Sequence, residues 1–477
     1  MPPLLALFIY AVLLLWLMRR DPAKDPKVSS AVWIPFTWLL ILAARLPSQW
    51  FGTQGPSAFQ AAQDGNQLDR VFYVVLMLLA VRVAVTRKTR WGELISQNLI
   101  LSSLVLLGLL SVLWSDFPGV TMRRWVRDLG GYFMIAVILS ESNPMSAVQT
   151  VLRRVSYVLI PLSVILIKYF PGVGRGYETW TGATINIGAT LNKNSLGVLC
   201  FISGLFFVWD FLKRWRDRSD RATRRVLAVD AAFIGMTLWL LSLAGSSTSD
   251  VCFFIGCVLL IVGHLRVERG SLQFLKVLIP ATLVVIALSD WLFDIREFVT
   301  KFVGRDTTFT GRVELWEYLD SIHTNWLLGS GYESFWLGPR LLEIWARFPF
   351  GPNQAHNGYR EVQLNLGVVG LFLVIAFLIV SFSRICKSLR SQPHYALLSL
   401  SIWIALVFYN ITEAALRMSH LLWLILLMGT LTLPKLEQVR SNRRLQSPAM
   451  TLGRRPLNPA SQSETTGYES QRSLGGD

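Results

Sequence analysis

The sequence predicts an all-α integral membrane protein, a polytopic bundle of about 12–13 transmembrane helices with one large external loop that carries short helices. Composition is the first ground. Of 477 residues 52% are hydrophobic and only 16% charged, and the mean hydropathy is +0.45. A soluble chain of this length needs far more polar surface, so its apolar runs must face lipid. Second, apolar runs of helical length recur from the N-terminus to residue 433. Third, a polar island between Phe293 and Tyr359 interrupts them, rich in arginine and aromatic residues and holding His323 and His356.

The runs lie near 3–18, 31–46, 69–86, 96–114, 128–143, 150–170, 194–212, 226–244, 249–265, 275–292, 363–383, 395–411 and 419–433. Backbone polar groups cannot stay unpaired in hydrocarbon, so each run is expected to be helical. In the first run the basic residues Arg19, Arg20, Lys24 and Lys27 follow the apolar stretch, and no small-residue cleavage site is evident. A retained helix is therefore expected, not a leader. The membrane domain is placed at 1–434, with the external loop at 293–360 inside it. Residues 435–477, poor in apolar residues and rich in Ser, Pro, Gly and Gln from about 441, read as a disordered cytoplasmic tail.

The net charge of +16 comes mostly from short basic loops. Lys213 to Arg218, continuing through Arg221, Arg224 and Arg225, is the densest cluster and is placed in the cytoplasm by the positive-inside rule. Alternation puts Arg87–Arg90, Arg266–Arg269 and Arg384–Lys387 on the same side. No basic stretch with interleaved aromatics suits nucleic acid. Cys200, Cys252, Cys257 and Cys386 lie in or at the ends of apolar runs, and neither disulfides nor a metal site is expected of them. Against the bias, Arg123, Arg124 and Arg127 fall outside, which suggests an anion there.

The other external arginines are Arg175, Arg296, Arg305, Arg312, Arg340, Arg347 and Arg360. The guanidinium fork binds two phosphate oxygens and keeps its charge. Acids such as Asp306, Glu314, Glu317 and Asp320 are scattered among them without metal-ligand spacing, so a site that stabilises a leaving diphosphate without a divalent ion is expected. His356, where the loop re-enters the membrane, is the candidate for proton transfer. His323, in the amphipathic pattern Leu315, Leu319, Ile322, Trp326, reads as packing. A second patch of small polar residues, Thr181 to Ser195, lacks the lysine placement of a nucleotide loop, and its Lys193 and Asn194 are placed to meet a sugar or phosphate.

The motifs Gly304-Arg-Asp-x-Thr-x-Thr-Gly-Arg312 with Trp316, Leu328-Gly-x-Gly-Tyr332 with Phe335-Trp336, and His356-Asn-Gly-Tyr with Glu361 and Leu364-x-Leu-Gly-x-Val-Gly370 resemble the O-antigen ligase/polymerase superfamily. Within it they are similar to the exopolysaccharide-production proteins of bacterial inner membranes. Trp114-Ser-Asp with Arg123-Arg124, and Leu191-Asn-Lys-Asn-Ser-Leu-Gly197, match further positions, and the resemblance covers about residues 90 to 430. It implies a multi-pass glycosyltransferase of the inner membrane whose donor is a glycan on undecaprenyl diphosphate. The glycan passes to a glycan or lipid acceptor at the periplasmic face, without cofactor or metal, in a setting that includes polysaccharide export proteins. By position, His356 and Arg312 are the catalytic candidates and Arg123 and Arg124 hold the carrier diphosphate. Trp336, Tyr332 and Asn357 are placed on the glycan. The turn Gly245–Asp250 departs from the family by lacking a basic residue, with Arg175 and Lys193 as candidate substitutes. Ligase and polymerase are not separated, since they differ only in which hydroxyl arrives.

Other classes stay in view. A polysaccharide or lipid-linked glycan transporter fits the helix number, but no buried ionisable pair is evident, Asp210 and Asp230 lying near cytoplasmic ends. A non-catalytic export subunit leaves the arginines unexplained.

Overall fold

Every apolar run placed from the sequence coincides with a helix in the computed structural model, which describes residues 1–20, 28–52, 65–178, 182–267, 272–293, 312–348 and 350–431. The helices are α1 (Pro3–Arg19), α2 (Trp33–Ala43), α3 (Gln67–Thr86), α4 (Leu99–Leu110), α5 (Pro118–Leu139), α6 (Pro144–Tyr169), α7 (Lys193–Arg214), α8 (Arg221–Ala244), α9 (Ser247–Val267) and α10 (Leu275–Phe293). The loop contributes α11 (Arg312–Ser321) and α12 (Gly338–Arg347), and α13 (Gly358–Ser391), α14 (Pro393–Thr412) and α15 (Leu421–Thr430) follow. Between α6 and α7 a small hairpin pairs β1 (Arg175–Tyr177) with β2 (Thr184–Asn186).

The protein is a largely α-helical, polytopic membrane protein. Among the described residues six helices are long and apolar enough to span, or seven if Trp91–Gln97 and Leu99–Leu113, bent by 101°, form one span. That is fewer than the 12–13 placed from hydropathy, and the reason is physical. α1, α2 and α15 are short, and α3 and α5 carry charges, Asp69, Arg70 and Arg82 on one and Arg123, Arg124, Arg127 and Asp128 on the other. α6, α7 and α14 form the buried centre, while α8 and α9 turn most of their surface outward.

The centre holds what the sequence seemed to lack. Arg153 of α6 is 1% exposed and bonds Asp210 of α7 and Asp230 of α8, the latter at 3.1 Å, while Arg214 reaches Asp210 at 2.7 Å. A buried ion cluster is therefore present, because residues 57 and 77 positions from Arg153 are brought to it by packing.

In the loop, Leu315, Leu319, Phe335, Trp336, Leu341 and Ile344 pack into a small core. It docks on a break in α13. Gly367 has φ +64° inside that helix, and a Cβ there would stand 2.2 Å from the Leu327 carbonyl oxygen. The groups freed by the break are paired with the loop. Ser330 N and Gly331 N donate to the Leu364 and Asn365 carbonyls, and Val368 N and Val369 N donate to those of Trp326 and Leu327. Irregular backbone next to a membrane helix persists only when satisfied in this way. The stretch Gly304–Gly311, with Arg305, lies outside the described residues, as do Arg296 and the tail from 435.

Candidate functional site

The first residue of the loop between α14 and α15 is Glu413, 3% exposed. Its Oε1 accepts from Arg312 (2.8 Å) and from Asn194 Nδ2 (2.8 Å), and its Oε2 lies 3.2 Å from His356 Nδ1. Arg312 also donates to the Thr412 carbonyl at 2.6 Å. Burial raises the carboxyl's pKa, but the hydrogen bond from His356 and the charges of His356 and Arg312 outweigh it, so Glu413 is held below the usual carboxylate range.

Each local motif has a reason to be there. His356 sits at φ +50°, a strained left-handed conformation that His tolerates better than most residues. Its predecessor is pinned from both sides, Ala355 N donating to Glu361 Oε2 (2.8 Å) and Trp316 Nε1 to the Ala355 carbonyl (2.7 Å). Asn357 caps α13 by accepting from Tyr359 N and Arg360 N, and its amide donates to the Ile411 carbonyl. A Cβ on Gly358 would collide with Asn410 Oδ1. Arg360 makes a two-pronged pair with Asp320 at 2.8 and 2.9 Å, clamping α11 beneath the histidine.

In the neutral tautomer that donates from Nδ1 to the carboxylate, the other ring nitrogen, Nε2, carries the lone pair. Among the described residues nothing bonds it, and the side chain is 21% exposed. Chemically, such an arrangement can serve as a general base with its orienting acid, beside a cation of the kind that suits phosphate. The same loop borders a second charged cluster. Arg127 bonds Asp128 (2.8 Å) and Glu333 (3.1 Å), Arg124 donates to the Glu333 carbonyl, and Tyr332 OH donates to Asp128 (2.8 Å). Burial raises Glu333, yet Arg127, Arg417 and Arg124 together hold it low.

Residues 231–375, which include Arg312 and His356, match the O-antigen ligase family. Over that stretch the chain is similar to the O-antigen ligase family. The exopolysaccharide production protein ExoQ of Rhizobium meliloti (strain 1021) is 22% identical over 291 residues, 59% of this chain and 64% of that protein, so the match spans less than two thirds of the relative.

The remaining residues expected from the O-antigen ligase resemblance are placed unevenly. Lys193 adjoins Asn194 but is paired with Glu178 at 2.6 Å. Arg123 is exposed on α5, and Arg175 is exposed on β1, its Nε donating to the Ile167 carbonyl. Trp336 is 6% exposed, and its indole N–H is shared by both oxygens of Glu361, so its placement is that of a strut. His323, read as packing, is exposed because α11 stops at Ser321, and Trp326 is exposed with it. Thr248 of the turn that lacks a basic residue touches Thr412 at 2.7 Å, which puts that turn beside Glu413. Among the described residues no three His, Cys, Asp or Glu side chains form a metal-ligand group.

Sequence reasoning missed Glu413, Glu333 and Arg417. A signal existed. Between Pro393 and Leu433 the only Asp, Glu, Lys or Arg residues are Glu413 and Arg417, and ionisable groups isolated between apolar runs are seldom idle.

Proposed function

We propose that the protein is an inner-membrane glycosyltransferase that polymerises or ligates undecaprenyl-diphosphate-linked oligosaccharide repeats at the periplasmic face, in exopolysaccharide or O-antigen biosynthesis. The observation that carries this reading is the convergence of His356 and Arg312 on Glu413. An acceptor hydroxyl oxygen attacks the anomeric carbon of the donor and gives its proton to His356 Nε2. The bond from that carbon to the diphosphate oxygen breaks, and the diphosphate leaves with the electron pair. Glu413 steadies the imidazolium, and Arg312 answers the charge that grows on the leaving group. Lys193, next to Asn194, is the cation proposed for the phosphate contact that the Ser246–Thr248 turn cannot make. Arg123 and Arg124 are proposed to draw the carrier to the site, and Tyr332 and Asn357 to border the glycan.

The test is purified protein in detergent with an undecaprenyl-diphosphate-linked repeat, chain length being followed on a gel. A ladder marks a polymerase, and transfer only after a lipid or glycan acceptor is added marks a ligase. No transfer in either format overturns the reading.

One observation favours a second reading. The cluster of Arg153, Asp210 and Asp230 is the kind of buried ionisable group that transporters use. Movement of a lipid-linked glycan across vesicles that is lost in Arg153→Met but kept in His356→Ala would establish transport instead.

A further inference from the structure

Between α11 and α12, the segment from Asn325 to Leu328 is irregular backbone whose polar groups are largely paired within the protein. Leu327 N and Leu328 N both donate to Asn325 Oδ1, at 3.0 and 3.1 Å, and Gly329 N donates to the Asn325 carbonyl at 2.7 Å. The Trp326 and Leu327 carbonyls accept from Val368 N and Val369 N, and the Leu328 carbonyl accepts from Trp114 Nε1 at 3.2 Å. A loop in water can leave such groups to solvent, whereas next to hydrocarbon the protein itself must pair them. The side chains agree with the second setting. Trp326 is 70% exposed and Leu327 42%. Their carbonyls are bonded to the start of an apolar stripe on α13, where Val368, Phe372, Ile375 and Ile379 are all exposed at the spacing of one helix face. α13 is long and apolar enough to span, so that stripe faces lipid. Trp326 and Leu327 continue it past the break at Gly367.

We propose that Trp326 and Leu327 form a wedge that sits in the bilayer, where headgroups give way to acyl chains, on the loop's side of the membrane. The partner of this surface is bulk lipid. Tryptophan suits that depth, because its ring is amphipathic and prefers the interface. Two side chains are too small a patch for a stable protein interface, and their continuity with the lipid-facing stripe of α13 favours lipid. The wedge is tied to the candidate site. Beyond Ser330 and Gly331 the chain enters the small core of Phe335 and Trp336, which packs on Leu315 and Leu319 of α11, and Arg312 is the first residue of α11. The wedge therefore sets the depth at which Arg312 meets anything carried by a membrane lipid. The inference rests on α13 as a spanning helix, and it holds whether or not the protein transfers glycan.

The experiment places a nitroxide spin label on the full chain in vesicles of phosphatidylethanolamine and phosphatidylglycerol. Relaxation is measured with oxygen, which concentrates among acyl chains, and with a nickel chelate, which stays in water. The labelled sites are Trp326→Cys and Leu327→Cys, with Phe372→Cys as the lipid reference and Glu343→Cys, exposed on α12, as the water reference. Wild type treated with the label is the blank for Cys200, Cys252, Cys257 and Cys386. The oxygen-to-nickel ratio at 326 and 327 should match that at 372 and exceed that at 343 several-fold. Leu327→Cys keeps Trp326 in place, so the test survives if Trp326→Cys does not fold. Ratios at 326 and 327 equal to that at 343 would overturn the proposal. Shielding of both sites from both reagents would overturn it too, since a second copy of the chain or another protein would then cover the patch. A water-like ratio at 372 would remove its basis in α13.

Discussion

At the scale of single residues, the site is organised by a carboxylate with three partners. Replacing Glu413 by Gln keeps the shape and removes the charge that holds His356 and Arg312. Transfer should fall by about 10²–10⁴, the range that general-base catalysis contributes, and stability should fall by about 1–3 kcal/mol, because Arg312 loses its counter-charge in a buried place. The pH dependence has a definite sign. Glu413 has a folded pKa below its unfolded value, so its stabilisation is full above the ordinary carboxylate range and is lost as pH falls through the folded value. Thermal unfolding in detergent should therefore show a gap between wild type and Glu413→Gln at pH 7 that closes under acid conditions. His420 adds a second acid-sensitive step. Burial first, and then the charge of Arg417, push it down to about 3, and its Nδ1 accepts from Leu422 N to cap α15. A histidine buried neutral loses its stabilising effect as pH drops below its ordinary value near 6.5 and goes on losing it to about 3. His420→Asn, which retains an N-cap acceptor, should flatten the melting-temperature profile across that window.

At the scale of elements, the break in α13 links sequence motif to fold. The glycines of Leu328-Gly-x-Gly and of Leu366-Gly face each other across four backbone hydrogen bonds, and a Cβ on Gly329 would meet the Asn365 carbonyl carbon at 2.5 Å. Gly367→Ala should cost about 1–3 kcal/mol or more, from positive φ and collision together. Gly235→Ala is the control, lying on α8 with open space around its Cβ. That substitution should be neutral or stabilising by up to about 1 kcal/mol, and melting temperatures of the two variants check both expectations. The presence of each helix and the motifs that meet at the site were legible, because hydropathy and glycine spacing are local signals. What the motifs touch was not. Trp336 was placed on the glycan, and nothing local in the sequence announces that Glu361, 25 residues on, holds its indole N–H.

At the scale of the whole molecule, the long-range pairings decide what sequence patterns leave open. Glu413 is 101 residues from Arg312 and 219 from Asn194, and no periodicity announces that they meet. The same holds for Arg153 with its two aspartates. Removing only the arginine should be severe, about 3–5 kcal/mol, since two buried carboxylates are then left without it. Arg153→Met combined with Asp210→Asn and Asp230→Asn should recover much of the folded yield, measured as monodisperse protein after detergent extraction. In the proposed mechanism His356 acts as base under the control of Glu413. The most direct test is the rate of glycan transfer from an undecaprenyl-diphosphate donor by wild type, His356→Ala, Arg312→Ala and Glu413→Gln, each checked for intact folding. No product is expected from the first two variants, and a much reduced kcat with nearly unchanged KM from the third. Wild-type rates from His356→Ala and Glu413→Gln would contradict it.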